Sequence, residues 1–231
     1  MNRMRNVTAA ANASLLACVL SVAWVQGGLA AEKKEGIKFS GCSISAVAYM
    51  KDMATAYEKK TGVPVEVKGG GVPVGIANTL AGKSHLGGSC RHLLDEEKDK
   101  GASSTIVGYD MLVFIVHRNN PVSSLSMDQV RKIFAGKITN WFEVGGPKQD
   151  ILIIGRESPD AGVATMFREK VMRGWGISKN TVDLQSTSDV EKGLETEQYQ
   201  WGIGVTGISS AALRKVKMLN LNVNAPTREN F

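Results

Sequence analysis

Residues 37–67, IKFSGCSISAVAYMKDMATAYEKKTGVPVEV, contain the unit that decides the fold class. A short strand at residues 37–39 leads through small residues into a helix, where apolar residues of the stretch 50–57 recur at the helical spacing of three and four. Gly62 is expected to end this helix, and residues 63–67 predict a second strand. This strand, helix and strand order is typical of a parallel α/β sheet.

Strands and helices are predicted to alternate along the rest of the chain. Further strands are predicted at residues 86–89, 109–117, 151–154 and 202–205, and helices at residues 75–82, 127–134, 163–171 and 208–216. Residues 90–97 are predicted to form a turn that enters a helix. The run at residues 109–117, YDMLVFIVH, is apolar almost throughout, as expected for a strand that is buried on both faces. Ser126 is positioned to cap the helix that follows it. The sequence therefore predicts an α/β fold with mostly parallel sheets, in which ligands bind at the carboxyl ends of strands.

The composition is that of an ordinary globular protein. The chain has 231 residues, a formal net charge of +6, 43% hydrophobic, 22% charged and 6% aromatic residues. These values exclude a disordered chain, a collagen and a small disulfide-dense protein. The basic residues are scattered, without a block of five or more, so we expect no nucleic-acid partner. The positive balance instead fits an anionic ligand.

The N-terminal residues resemble a secretory signal peptide. Arg3 and Arg5 precede an apolar run at residues 13–25, and the small residues at 28–31 offer a cleavage site. A membrane anchor would need about 20 apolar residues, and this run is shorter. A lipoprotein-like motif ends at Cys18, but the apolar sequence that follows it favours the later cleavage site. We therefore expect a periplasmic or other extracytoplasmic protein.

Export changes how the three cysteines are interpreted. With residues 1–31 assigned to the signal peptide, only Cys42 and Cys90 remain in the mature chain. In an oxidising compartment an even pair of cysteines is a disulfide candidate.

Four loops share one pattern, a short strand that passes through Gly or Ser residues into the start of a helix. We name them loop 1 (residues 40–45), loop 2 (69–75), loop 3 (87–91) and loop 4 (156–162). Helix starts present free backbone N–H groups and a partial positive charge, and small residues let the backbone approach a ligand. Any one of these loops is explained by a tight turn alone. Four of them, with bidentate donors at Arg91 and Arg156 in loops 3 and 4, favour an oxyanion site.

The stretch from Val122 to Gly146 resembles a known family. Its residues 127–146, MDQVRKIFAGKITNWFEVGG, closely match a segment of the phosphate-binding, extracytoplasmic solute-binding proteins of ABC transporters. The triple glycine of loop 2, residues 57–62 (YEKKTG) and residues 201–205 (WGIGV) match further motifs, so that the resemblance covers essentially the whole mature chain.

The resemblance implies a two-lobed periplasmic-binding-protein fold with a hinge. The first lobe would comprise residues 32–115 and about 205–231, and the second lobe about 116–204. A small anionic ligand would be held between the lobes, without catalysis and without a cofactor. The candidate ligand-binding residues are Cys42, Ser43, Ser45, Gly71, Ser89, Cys90, Arg91, Arg156 and Gly162. The partners would be a membrane permease or a sensor kinase, and we expect a monomer.

The ligand loops depart from the family pattern. Val72 takes the place of a serine after the triple glycine, while Ala161 in loop 4 and Val163 directly after it take the places of two hydroxyl residues. Each lost hydrogen bond to a buried anion weakens binding by roughly 1.5–3 kcal/mol. Asp110 also matches a family position, after the segment that forms the hinge.

In the architecture of the family, loops 1 and 3 lie side by side, which would place Cys42 opposite Cys90. This arrangement leaves two interpretations open, a disulfide or other structural thiols, and a site in which Cys42, Cys90 and His92 hold a soft metal or a trivalent metalloid. The second interpretation would make the protein a sensor or a redox- or metal-binding protein. No Cys-x-x-Cys-His motif supports covalent haem.

Overall fold

The computed structural model describes residues 35–156, 161–222 and 224–227, which belong to one compact unit. The predicted signal peptide lies outside the described residues. The strands are β1 (Ile37–Gly41), β2 (Val65–Lys68), β3 (Leu86–Gly88), β4 (Leu112–His117), β5 (Ser124–Leu125), β6 (Leu152–Arg156), β7 (Thr181–Leu184), β8 (Gly202–Gly207), β9 (Val216–Met218) and β10 (Asn220–Leu221). The α-helices are α1 (Ser43–Ser45), α2 (Lys51–Thr61), α3 (Val72–Leu80), α4 (Asp95–Asp99), α5 (Met127–Phe134), α6 (Gly162–Met166), α7 (Thr187–Leu194) and α8 (Ile208–Ala211). Two π-helical segments, Ala46–Met50 and Phe167–Met172, extend α1 and α6, and 3₁₀ turns span Trp141–Val144 and Glu197–Tyr199.

The first sheet is three-stranded and entirely parallel, in the order β2-β1-β3. Its connections are helical, through α1 and α2 and then through α3. Gly62 ends α2 in the left-handed conformation with φ 69°, as the sequence predicts. Because the strands are parallel, loops 1, 2 and 3 all leave the sheet at the same side, where the carboxyl ends of the strands lie.

The second sheet is five-stranded, in the order β7-β6-β8-β4-β9. Strand β6 pairs in parallel with β7 and β8, whereas β4 pairs antiparallel with both β8 and β9. A parallel two-stranded pair joins β10 to β5. The predicted α/β class with mostly parallel sheets is confirmed. The predicted lobe boundaries, near residues 116 and 204, fall within β4 and β8, and they and the hinge stay predictions.

Both faces of β4 are buried, which explains its apolar run. Phe114 packs in one core cluster with Phe134 and Phe167, whose ring centroids lie 4.7 Å apart. Ile115 points to the opposite face and packs in a second cluster with Leu194 of α7. The sheet therefore lies between two apolar layers.

The helix α5 begins with the Ser126 cap that the sequence predicts, together with a reciprocal hydrogen bond to the Gln129 side chain. The Ser126 hydroxyl accepts from the backbone N–H of Gln129, and the Gln129 side chain accepts from the backbone N–H of Ser126. The helix predicted over residues 208–216 is wrong beyond Ala211, because the chain turns there and enters β9 at Val216.

Within the described ranges, none of the helices combines the length and the apolar character that crossing a bilayer requires.

Candidate functional site

Loops 1, 2 and 3 are hydrogen-bonded to one another where they leave the first sheet. The backbone N–H of Cys42 donates to the Gly88 carbonyl at 2.9 Å, which ties loop 1 to loop 3. The backbone N–H of Gly71 donates to the Gly41 carbonyl at 2.9 Å, which ties loop 2 to loop 1. Three of the four predicted loops are thus held together by backbone hydrogen bonds.

Glycine is required where these loops cross. Gly41 has φ 147°, and a Cβ there would overlap the backbone of Gly88. A Cβ on Gly75 would likewise collide with the backbone of loop 1. These glycines therefore allow the loops to pack closely against one another, in addition to any approach of the backbone to a ligand.

The two cysteines face each other in this cluster. The sulfurs of Cys42 and Cys90 lie 2.7 Å apart, and both residues are free cysteines. Cys42 is 3% exposed and precedes the first turn of α1, whereas Cys90 is half-buried. The structure thus brings the two residues together across loops 1 and 3.

The hydrogen bond between the thiols makes them chemically unequal. It lowers the pKa of the Cys42 thiol to about 7, with smaller contributions from backbone hydrogen bonds of Ser45 and Ile44 at the start of α1, while burial opposes the shift. The same hydrogen bond, then burial, raises the pKa of the Cys90 thiol, and the nearby Asp110 carboxylate adds a small contribution in that direction. Cys42 is therefore the thiol that ionises first.

Arg91 is buried in an ion pair. Its Nη2 lies 2.7 Å from Oε1 of Glu97 and its Nη1 lies 2.8 Å from Oε2, and Nη1 also donates to the His92 carbonyl. The Arg91 side chain is 1% exposed and that of Glu97 is 13% exposed. The pairing holds the Glu97 pKa below its usual range. An anion that binds to Arg91 would have to share the guanidinium with this carboxylate, and such binding stays a prediction.

Glu97 is the residue of this site that the sequence analysis missed. Its Oε2 also accepts from the backbone N–H of Leu94, at the start of α4. The signal was present as the acidic run Asp95 to Glu97 shortly after Arg91, in the first turn of a predicted helix.

The three predicted serine hydroxyls have local partners or neighbours. The Ser89 Oγ donates to the Arg91 carbonyl at 2.7 Å and accepts from the Arg91 N–H. Ser45 is buried and hydrogen-bonded to Cys42. The half-buried Ser43 hydroxyl lies against Gly69 of loop 2. These contacts stabilise the loops, and a role in ligand binding stays a prediction.

Loop 4 reaches the cluster through the start of α6. Gly162 is buried, and a Cβ there would overlap the Cys90 sulfur and crowd the side chain of Val72. Arg156 ends β6, paired with Leu184 in the strand register. The Arg156 side chain and residues 157–160 lie outside the description. At Gly162, the start of α6 meets loops 2 and 3.

The point where the loops meet is largely apolar. Val72 is 1% exposed and belongs to the same core cluster as Cys42, Ile44 and Val163. Two of the positions that depart from the family pattern, Val72 and Val163, are thus used for packing. At these two positions the site therefore has no hydroxyl donor to offer a ligand.

A cavity of about 170 Å³ lies beside Arg91, between the approach to α4 and the helix that begins with α6. Its lining includes the basic residue Arg91 and the acidic residues Asp95 and Glu169, so that both charge signs are present, together with His92 and Thr165. Among the residues that the structure describes, no three His, Cys, Asp or Glu side chains converge as a metal site, and His92 is therefore not grouped with the two thiols.

Asp110 connects the segment before β4 to the start of α8. Its carboxylate accepts from the hydroxyl of Ser209 at 2.6 Å and from the Ser209 N–H at 3.2 Å. A Cβ on Gly207 would overlap this carboxylate, so the glycine makes room for it. Asp110 thus fixes the chain where it enters the second sheet.

Comparison with family models gives one match across most of the chain. A model described as a PBP superfamily domain matches residues 14–226. Among curated proteins, the phosphate-binding protein PstS of Borreliella burgdorferi is 26% identical over 209 residues, which are 87% of this chain and 75% of that protein. The phosphate-binding protein PstS 2 of Streptococcus agalactiae is 32% identical over 103 residues, which are 44% of this chain and 35% of that protein.

Solved structures give a similar result. A protein from Clostridium perfringens, described as a phosphate ABC transporter substrate-binding protein and solved with bound phosphate, superposes with a TM-score of 0.75 at 27% identity. That match covers 85% of this chain and 79% of the other. An ABC-type phosphate transport receptor from Vibrio cholerae gives a TM-score of 0.59 at 26% identity, with coverages of 85% and 80%.

Proposed function

Because the chain belongs to the PBP superfamily, we propose that it is an extracytoplasmic solute-binding protein that captures a small anionic ligand. The observation that carries the proposal is the meeting of loops 1 to 4, in which Gly71 and Gly162 lie buried among strand ends and helix starts. This is the place where parallel α/β sheets bind ligands, and helix starts favour anions. The relatives are named as binding proteins, and we propose no catalysis for this chain.

The proposed ligand class is a phosphate-like oxyanion. Support comes from the relatives, which are named for phosphate, and from the loop backbone, which offers N–H donors at the start of α1, α3 and α6. The packing of Val72 and Val163 into the core removes two side chains that would carry hydroxyl donors in the family pattern. We therefore propose that binding relies on backbone N–H groups and on Arg156, and that phosphate binds more weakly than a full set of donors would allow.

The proposed partner is a membrane permease of the ABC type or a sensor kinase that receives the liganded protein. The description of two relatives as parts of ABC-type phosphate transport supports the permease.

A panel of oxyanions tests the proposal. The full chain, with its thiols kept reduced, is heated in the presence of phosphate, arsenate or sulfate, and the melting temperature is recorded. Binding to the native state raises the melting temperature with ligand concentration, by the equivalent of about 2.7 kcal/mol at one hundred times the dissociation constant. A melting temperature that stays constant with every oxyanion would overturn the proposal.

Two arginine variants make the test specific. Arg156→Ala is expected to weaken phosphate binding by about 10–100-fold, because a charge-assisted hydrogen bond is lost. Arg118→Ala, which removes an exposed arginine after β4, is the matched control and should leave the affinity unchanged. Equal affinities for both variants would exclude Arg156 from the site.

A further inference from the structure

The thiol pair is chemistry that oxyanion binding does not use. Cys42 and Cys90 are 48 residues apart in the chain, and their sulfurs lie 2.7 Å apart in the structure. They are held there by the backbone, since the hydrogen bond from Cys42 N–H to the Gly88 carbonyl fixes loop 1 against loop 3. The backbone thus positions the two thiols next to each other in the folded protein.

The surroundings of the pair leave little room for an inserted atom. The backbone of Gly162 lies directly against the Cys90 sulfur, and Val72 fills the space beside it with 1% exposure. A metalloid or soft metal ion placed between the sulfurs would have to push these elements apart. A disulfide needs only that the sulfurs approach from 2.7 Å to about 2.0 Å. Among the described residues, no third metal-ligating side chain converges with the two sulfurs to form a metal site.

We propose that Cys42 and Cys90 form a reversible thiol–disulfide site that joins loop 1 to loop 3. The oxidant is a small-molecule disulfide, RSSR. One thiolate of the pair attacks a sulfur of RSSR, which forms a mixed disulfide and releases RS⁻. The second protein sulfur, as its thiolate, then attacks the protein sulfur of the mixed disulfide and releases the second RS⁻. Cys42-SH, Cys90-SH and RSSR thus become one protein disulfide and two RSH, and an excess of RSH reverses the reaction.

The two cysteines differ in burial and in pKa, and both differences bear on the two exchange steps. Cys90 is the more exposed of the two residues, since it is half-buried, whereas Cys42 is almost fully buried. The lowered pKa of Cys42 provides a thiolate near neutral pH for one of the two exchange steps. The inference does not rest on the proposed function, because thiol exchange is measured without any oxyanion.

The experiment measures thiols and mass across a redox series. The full chain carrying Cys18→Ser, so that only the pair remains, is equilibrated under native conditions in mixtures of reduced and oxidised glutathione. Acid quenching, alkylation and intact-mass analysis then count the free thiols, and peptide mapping identifies the linked residues. We expect both thiols to disappear together, with the loss of two hydrogen atoms and a linked peptide that contains Cys42 and Cys90.

The oxidised form should also melt at a higher temperature. Closing the loop between the two cysteines restricts the unfolded chain, and we expect a rise in melting temperature of about 5–10 °C that excess reduced glutathione removes. Cys42→Ala and Cys90→Ala serve as controls, each of which should form no internal disulfide and show no rise in melting temperature. If either variant fails to fold, the peptide map of the protein with both cysteines still decides the result.

Three results would overturn the inference. The first is that both thiols remain free under oxidising native conditions. The second is that a stable glutathione adduct accumulates on one cysteine without the internal disulfide. The third is that arsenite binds to the pair and the disulfide does not form in its absence, which would assign the site to a soft ligand.

Discussion

Removal of the Glu97 carboxylate is predicted to destabilise the fold strongly, although the residue lies in a short helix of five residues. The Arg91 side chain is 1% exposed and that of Glu97 is 13% exposed, and two donor–acceptor distances of 2.7 and 2.8 Å join them. A pair on the surface would contribute about 0–1 kcal/mol, whereas the loss of one partner of a buried pair typically costs about 3–5 kcal/mol. Because the Arg91 guanidinium is buried, we treat this interaction as a buried ion pair.

The assay is equilibrium unfolding of Glu97→Ala in denaturant, with Glu96→Ala as the matched control. Glu96 precedes Glu97 in α4 and is exposed. We expect Glu97→Ala to lower the free energy of unfolding by about 3–5 kcal/mol, or the melting temperature by about 6–20 °C, and Glu96→Ala to change the free energy by less than about 0.5 kcal/mol.

A double variant distinguishes two causes of the destabilisation: the lost attraction between Arg91 and Glu97, and the cost of leaving the buried Arg91 charge without its carboxylate partner. Arg91→Met combined with Glu97→Leu removes both charges and keeps similar volume, so that part of the stability lost in Glu97→Ala should return. The reasoning is refuted if Glu97→Ala and Glu96→Ala unfold at the same denaturant concentration, because the buried pair would then contribute nothing to stability.

Three further predictions follow from the same site. Because folding lowers the pKa of Glu97, its carboxylate stabilises the folded state fully above the unfolded pKa of about 4.3, and this stabilisation is lost as the pH falls through the folded pKa. Glu97→Gln should therefore make the free energy of unfolding depend less on pH in this acid range. Gly41→Ala should cost more than about 2 kcal/mol in urea unfolding, since φ is 147° and the Cβ meets backbone, whereas Gly82→Ala, with φ 67° and open space, should cost about 1 kcal/mol. Under reducing conditions the thiolate absorbance of Cys42 should rise with a midpoint near pH 7, and Cys90→Ala should move the midpoint upward; an identical midpoint in both proteins would contradict the assigned cause.

Much of the fold could be predicted because its signals are local. Gly62 at the end of α2 and Ser126 before α5 act through the backbone of their own turn, and the apolar run that includes β4 follows from burial on both faces. The strand β7 and the helix α7, by contrast, were not predicted from residues 181–194. The strand has only four residues, half of them polar, and its pairing with β6 is a tertiary contact that periodicity does not show.

The site was less accessible from sequence than the fold. The resemblance to the family indicated that loops 1 and 3 are adjacent, and the structure places the sulfurs of Cys42 and Cys90 within 2.7 Å of each other. The pairing of Arg91 with Glu97 could not be inferred, because it depends on how the segment between loop 3 and α4 folds back. Burial of Val72 beside Gly162 likewise appears only when α6 is packed against loops 2 and 3. Contacts of this kind depend on packing between elements and carry no local sequence pattern.

The central claim is that the chain binds a small oxyanion where the four loops meet. Equilibrium dialysis of the reduced full chain against labelled phosphate tests it most directly, with unlabelled phosphate and sulfate as competitors. We predict saturable binding of one phosphate per chain, displaced by excess unlabelled phosphate and weakened by Arg156→Ala. Binding of the label that does not saturate would contradict the account. So would binding that Arg156→Ala leaves unchanged and that neither unlabelled phosphate nor sulfate displaces.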